Sequence, residues 1–282
     1  MRGGKAPELD IALRAAVRAG KAVLDIYRRS AAGEAGEKED GSPITEADLA
    51  SHHILTGELG RTGHAILSEE EDPAGRTGGA DRSKSDTVWI IDPLDGTADF
   101  VDRTGEFTIM VALVRKKTPV VGVILWPLAS TAFVAQRGLG AFRYSAGGWE
   151  RISVTGITAL PECRAVGSRH HLTGGEKAFI ARLGVSSFTS IGSSLKACMV
   201  SAGEAEAYIT TTDKMKEWDT AASHCIVTEA GGRMTDVRGE ELTYNNRDVR
   251  HLHGILATNG AVHERIVNEL AAGSAHARRG MT

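Results

Sequence analysis

Cysteine is scarce in this chain: Cys163, Cys198 and Cys225 are the only three in 282 residues, widely spaced and without a Cys-x-x-Cys pair. They suggest neither a disulfide framework nor a zinc knuckle, and a reducing cytoplasm is the expected setting. Aromatic residues make up 5% of the chain, and no apolar run approaches the ~18 residues that a membrane helix needs. An excess of one charge is missing too. With 33 basic and 36 acidic side chains the net charge is −3, which leaves no electrostatic footprint for polymeric nucleic acid. Met1 to Pro7 is polar and short, so no signal peptide is expected. What remains, 41% hydrophobic and 24% charged, is the composition of a soluble globular protein with a large core.

Leu9, Leu13, Ala16, Val17, Gly20, Val23, Leu24 and Tyr27 recur at helical spacing behind Pro7, which predicts a long amphipathic first helix. The Gly- and Glu-rich stretch Ala32 to Ser42 reads as a mobile loop. Apolar segments Thr108 to Arg115, Pro119 to Trp126 and Thr131 to Gln136, broken by short turns, predict antiparallel strands. Farther on come a strand near Cys163 to Val166, helices Gly175 to Leu183, Leu195 to Ala202 and Thr220 to Ala230, a strand Ile255 to Ala257 and a closing helix Ala261 to Ala271. Such alternation argues an α/β layered architecture. A boundary near Gly147-Gly148 divides it into residues 1–147, with the antiparallel sheet, and 148–282. The tail from Ser274 to Thr282 is expected to fray.

The chemistry concentrates in Asp92-Pro93-Leu94-Asp95-Gly96-Thr97, behind the apolar run Val88-Trp89-Ile90-Ile91. A buried strand ending in two carboxylates and a hydroxyl can hold metal ions and a phosphate on rigid scaffold; the same residues are also the ordinary vocabulary of a capped turn. Upstream, Ser68 leads into four consecutive acids, Glu69-Glu70-Glu71-Asp72, and downstream Glu217-Trp218-Asp219-Thr220-Ala221-Ala222 opens an apolar helix. Each alone reads as a solvated acidic face or a helix cap. Together with the Asp pair they form an oxygen-only donor set, which suits magnesium and argues against zinc. Thr45 and Asp48 have the spacing of a variant capping box at a helix start. Gly192-Ser193-Ser194-Leu195-Lys196 reads either as a helix cap or as a phosphate site apart from the metals. His251-Leu252-His253 and Trp218 read as structural.

The ordered trio of acidic motifs resembles the magnesium-dependent, lithium-sensitive phosphatases of the inositol monophosphatase superfamily, over nearly the whole chain. The resemblance implies the alternating helix and sheet layers of the inositol monophosphatase/fructose-1,6-bisphosphatase type. It implies that Glu69, Asp92, Asp95, Asp219 and the Leu94 carbonyl hold two or three Mg2+ ions, with Glu70 in their shell. It also implies that Thr97 and Asp48 orient the water that hydrolyses a phosphate monoester.

Gly192-Ser193-Ser194-Leu195-Lys196, Glu217 before Trp218-Asp219, Gly105-Glu106-Phe107-Thr108 and Ser168-Arg169-His170-His171 are similar to the 3'(2'),5'-bisphosphate nucleotidase branch. That similarity points to Gly96, Thr97, Ser168, Gly192, Ser193, Ser194, Lys196 and Glu217 as substrate-binding residues, and to removal of the 3'-phosphate of adenosine 3',5'-bisphosphate. Ala98-Asp99 departs from the branch, which usually has Lys and then Asn or Glu there. An inositol or sugar monophosphatase is the alternative within the same chemistry, and a non-catalytic sensor of a phosphorylated metabolite the alternative outside it.

Overall fold

The computed structural model describes residues 7–29, 36–37, 43–71 and 82–279. Helix α1 (Pro7–Arg29) is followed by the strand pair β1 (Gly36–Glu37) and β2 (Pro43–Ile44) and by helix α2 (Glu46–Leu59). Next come β3 (Ala65–Ser68), β4 (Thr87–Asp95), the short helix α3 (Thr97–Val101), and strands β5 (Thr108–Arg115), β6 (Thr118–Trp126), β7 (Thr131–Gln136), β8 (Gly140–Ser145) and β9 (Gly148–Ile152). The remainder alternates: β10 (Arg164–Ser168), α4 (Gly174–Leu183), β11 (Ser187–Ile191), α5 (Leu195–Ser201), β12 (Ala207–Thr210), α6 (Glu217–Glu229), β13 (Arg233–Thr235), β14 (Ile255–Thr258) and α7 (His263–Arg279).

Strands β3 to β9 form one seven-stranded sheet in sequence order, antiparallel except for the parallel β3–β4 pair. A five-stranded mixed sheet runs β11-β10-β12-β14-β13. Because side chains alternate along β4, Trp89 and Ile91 face one core and Val88 and Ile90 the other. The first core lies under α1 and α2; the second lies beneath α5 and α6, which also cover the smaller sheet; a third, with Phe179, Leu183 and Ile266, lies under α4 and α7. The result is five alternating layers, as the α/β reading expected.

Small residues make the close layers possible. Ala12, Ala16 and Ala19 of α1 are fully buried, and a Cβ on Gly20 would stand 2.5 Å from the Leu125 side chain. Gly122 of β6 lies just as close beneath α6: a Cβ there would meet the Ala222 carbonyl at 2.6 Å and Cys225 Cβ at 2.9 Å. The helix that carries Asp219 therefore rests directly on the larger sheet.

Several boundaries differ from the sequence expectations. The junction at Gly147-Gly148 falls in the hairpin between β8 and β9, so the larger sheet continues to Ile152. Helix α6 starts at Glu217 rather than Thr220, because Asp219 accepts a bond from the Lys216 amide at 2.6 Å and caps the first turn. The tail expected to fray from Ser274 is helical to Arg279. Of the loop expected from Ala32 to Ser42, only Gly36–Glu37 falls among the described residues; Asp72 lies outside them. Among the described residues no helix is long and apolar enough to cross a membrane. The cysteines are free and buried.

Candidate metal centre and active site

Residues three apart on a regular strand point to opposite faces, so Asp92 and Asp95 would diverge if β4 were uniform. It is not: the β4–β5 register shifts between them. The irregular turn is fixed from both sides. The Leu94 amide donates to Asp92 Oδ1 at 3.0 Å, and Ser51 of α2 donates to the Pro93 carbonyl at 2.7 Å. Gly96 closes the turn at φ 89°, and a Cβ there would also press on the Glu106 carbonyl at 3.0 Å. As a result Asp92, Asp95 and Asp219 each offer a carboxylate oxygen, all within 4.8 Å of one another.

Burial and mutual repulsion dominate the electrostatics of this cluster. Asp92 is 1% exposed, and burial, followed by the charges of Glu69, Asp95 and Asp219, holds its pKa well above the usual carboxylate range. Asp219 is raised well above that range by burial and then by Glu69 and Asp95. Asp95 is raised by burial, partly offset by Lys196 and by bonds from Ser194 and Thr108. Glu69 leaves β3 beside the end of β4, its amide bonded to the Ile91 carbonyl at 3.2 Å, and its carboxyl bonds to that of Asp92. Adjacent acids on Glu70 and Asp48 also face each other, and the Glu70 amide bonds to Ser68 Oγ.

Asp48 links the start of α2 to Thr97. Its Oδ2 accepts from the Thr45 amide at 2.7 Å and the Thr45 hydroxyl at 2.6 Å, capping α2, while Oδ1 stands 3.0 Å from the Thr97 hydroxyl. The Thr97 hydroxyl is equally close, 3.0 Å, to the Leu94 carbonyl. Burial raises the Asp48 pKa, against the bonds from Thr45.

The Gly192 to Lys196 segment is not apart from the acid cluster, as the sequence reading had it. The Ser194 amide donates to Asp95 Oδ2, the Ser194 and Thr108 hydroxyls meet at 2.7 Å, and Lys196 is buried with its ammonium bonded to the Ser193 carbonyl. Burial lowers the Lys196 pKa, while Asp95, Asp99 and Asp219 pull it back up. Ser168 is half-buried and caps its own turn, its hydroxyl accepting from the His171 amide at 3.0 Å. Glu217 differs most from expectation. Both its carboxylate oxygens are taken by backbone amides, those of Asn245 at 2.6 Å and Asn246 at 2.8 Å, so it anchors a turn rather than facing a ligand.

Two acids that sequence reasoning left out of the site organise its rim. Asp99 is buried, bonded to Thr104 Oγ1 at 2.8 Å, with His170 Nε2 at 3.2 Å and Arg169 Nε at 3.4 Å. Glu106 accepts from Arg169 Nη2 at 2.6 Å and from the Gly192 amide at 2.6 Å. Asp99 stood in the sequence only as a departure from a pattern; its signal was a buried-type position, one residue before Phe100, occupied by an acid. His251 bonds Thr220 at 2.7 Å and Trp218 is core, the structural roles expected of both.

The profile of the inositol monophosphatase family matches residues 5–274. The chain belongs to that family. It is 36% identical over 233 residues to the 3'(2'),5'-bisphosphate nucleotidase CysQ of Salmonella typhimurium, covering 82% of this chain and 91% of that protein. Its fold matches the crystal structure of CysQ from Bacteroides thetaiotaomicron with a TM-score of 0.74 and 34% identity, over 89% of this chain and 97% of the other. The inositol monophosphatase of Anabaena superposes with a TM-score of 0.75 at 27% identity, over 94% of this chain and 95% of the other. Both solved structures thus share the fold of this chain.

Proposed function

We propose that this chain is a magnesium-dependent 3'(2'),5'-bisphosphate nucleotidase that removes the 3'-phosphate of adenosine 3',5'-bisphosphate. The observation that carries the metal half is the convergence of Asp92, Asp95 and Asp219. Closely spaced carboxylates with raised pKa values are a charge imbalance that a hard cation relieves, and the absence of His or Cys from the cluster fits magnesium. On this reading Asp92, Asp95, Asp219, Glu69 and the Leu94 carbonyl hold two or three ions, with Glu70 beside them. When bound, such ions make a water nucleophilic near neutral pH and neutralise charge on the leaving oxygen.

The chain's own residues do the rest. Thr97 orients the attacking water through its hydroxyl and passes the proton to Asp48, whose raised pKa makes it a better acceptor than an exposed carboxylate. The water oxygen bonds to phosphorus as the ester P–O bond breaks, and the departing ribose oxygen takes up a proton from solvent, to which Asp48 returns its own. Gly96, Ser168, Gly192, Ser193, Ser194 and Lys196 border the substrate. Lys196, with Arg169 on the rim, supplies positive charge to a doubly phosphorylated nucleotide. Glu217 supports Asp219 instead of contacting substrate. Three free, buried thiols fit a reducing cytoplasm, and the partner is a small phosphorylated metabolite rather than a nucleic-acid polymer or a membrane.

The nucleotide half rests on CysQ similarity at 36% identity. The Anabaena match keeps an inositol monophosphatase as the second reading. Phosphate release from adenosine 3',5'-bisphosphate and from inositol 1-phosphate, measured side by side with Mg2+ and with excess chelator, separates them. Metal-dependent preference for the nucleotide is expected; preference for the inositol ester would transfer the same machinery to the second reading, and no release from either would leave a phosphometabolite sensor.

A further inference from the structure

Asp219 must arrive at the β4 acids from a helix more than a hundred residues away in sequence, and nothing in the carboxylate cluster itself attracts it. The restraint lies behind α6. The guanidinium of Arg82, in the short turn Arg82–Lys84 before β4, donates to Asn245 Oδ1 at 2.7 Å and to the Asn246 carbonyl at 3.0 Å. The Asn245 side-chain amide returns bonds to the Ser85 carbonyl at 2.9 Å and the Arg82 carbonyl at 3.2 Å. The amides of Asn245 and Asn246 then bind Glu217, two residues before Asp219. Asn245 is 3% exposed and holds φ 61°, a left-handed conformation that Asn tolerates. The charge of Arg82 also faces both Glu71, on the turn that carries Glu69, and Glu217.

Arg82 therefore faces the turn with Glu69 through Glu71 and the helix with Asp219 through Glu217, and its own backbone leads through Ser85 into the strand with Asp92 and Asp95. We propose that Arg82, acting through Asn245 and Glu217, is a positioning residue that holds the three segments in register for metal binding. The assignment rests on the metal reading above. It makes Arg82 different from an ordinary buried support, because its loss should loosen the ligand geometry more than the fold.

The test is Mn2+ titration of the full chain by electron paramagnetic resonance, in wild type, Arg82→Leu, Arg82→Lys and Asn245→Ser, with thermal melting in chelator measured in parallel. Second-layer partners of metal ligands are typically worth 10–100-fold in affinity. Arg82→Leu should weaken Mn2+ binding about tenfold, and raise the metal concentration for half-maximal phosphate release more than it lowers the saturated rate. Arg82→Lys, which keeps the charge but not the fork, should recover only part of the loss. Asn245→Ser should resemble Arg82→Leu, and the double variant should be little worse than either single one. Unchanged Mn2+ affinity in folded Arg82→Leu and Asn245→Ser, with only a lower melting temperature, would overturn the proposal. A wild-type chain that binds no Mn2+ would instead remove the metal reading, and this assignment with it.

Discussion

Thr97 and Asp48 meet at 3.0 Å across the gap between α3 and α2, and the same Asp48 carboxylate caps α2 through Thr45. The contact proposed to orient the water is thereby tied to a helix start, which leaves Asp48 little freedom to drift. Thr97→Val and Asp48→Asn should each lower kcat by about 10²–10⁴-fold, the usual worth of a general base. Mn2+ affinity should stay near wild type and Thr97→Ser should keep most activity. Steady-state rates at saturating metal check this; a fall in metal affinity instead of kcat would move the pair to the ligand set.

Gly122 is the contact point between β6 and α6. Gly122→Ala should cost about 1–3 kcal/mol, the usual range for overpacking, because the new methyl meets the Ala222 carbonyl at 2.6 Å. Since α6 carries Asp219, metal affinity should fall as well. Urea unfolding together with Mn2+ titration reads both effects, and wild-type values in both would show that α6 is free to lift off the sheet at no cost.

The architecture was legible where local pattern and burial agree. Helix α1 follows from apolar spacing, and β5, β6 and β7 from apolar runs punctuated by turn residues. Strand β11, Ser-Phe-Thr-Ser-Ile, was not legible, because it is an edge strand with four exposed residues and no apolar face to signal it. Hairpin β8–β9 escaped for a related reason: its exposed Tyr144 and Trp149 stack on each other at 5.1 Å rather than pack in a core. At the site, the motifs contained Asp92, Asp95 and Asp219, which the fold brings together. They did not announce that Glu217 is spent on Asn245 and Asn246, or that Asp99 and Glu106 hold Arg169, since those pairings join segments distant in sequence.

Two buried histidines and a half-buried one make acid stability predictable. His224, His251 and His263 are each pushed down to about 4, chiefly by burial. Between their unfolded value near 6.5 and that depressed value the unfolded chain binds more protons than the folded one. The stability that the three neutral rings contribute is therefore complete above about pH 6.5 and is lost as pH falls toward 4, at up to about 1.4 kcal/mol per pH unit for each histidine. Urea unfolding at several pH values in saturating Mg2+ should show the decline, shallower in His263→Asn; a flat wild-type profile from pH 7 to 5 would mean that these rings are already charged in the fold.

The carboxylates of Asp92, Asp95 and Asp219 are proposed to hold the metal used for hydrolysis. Mn2+ titration and phosphate release from adenosine 3',5'-bisphosphate, measured on the same preparation of Asp95→Asn, address it most directly. The account predicts Mn2+ affinity at least tenfold weaker and turnover nearly abolished, in a protein whose melting temperature in chelator equals or exceeds that of wild type, because one of several repelling charges is gone. Wild-type turnover and metal affinity in Asp95→Asn would contradict it.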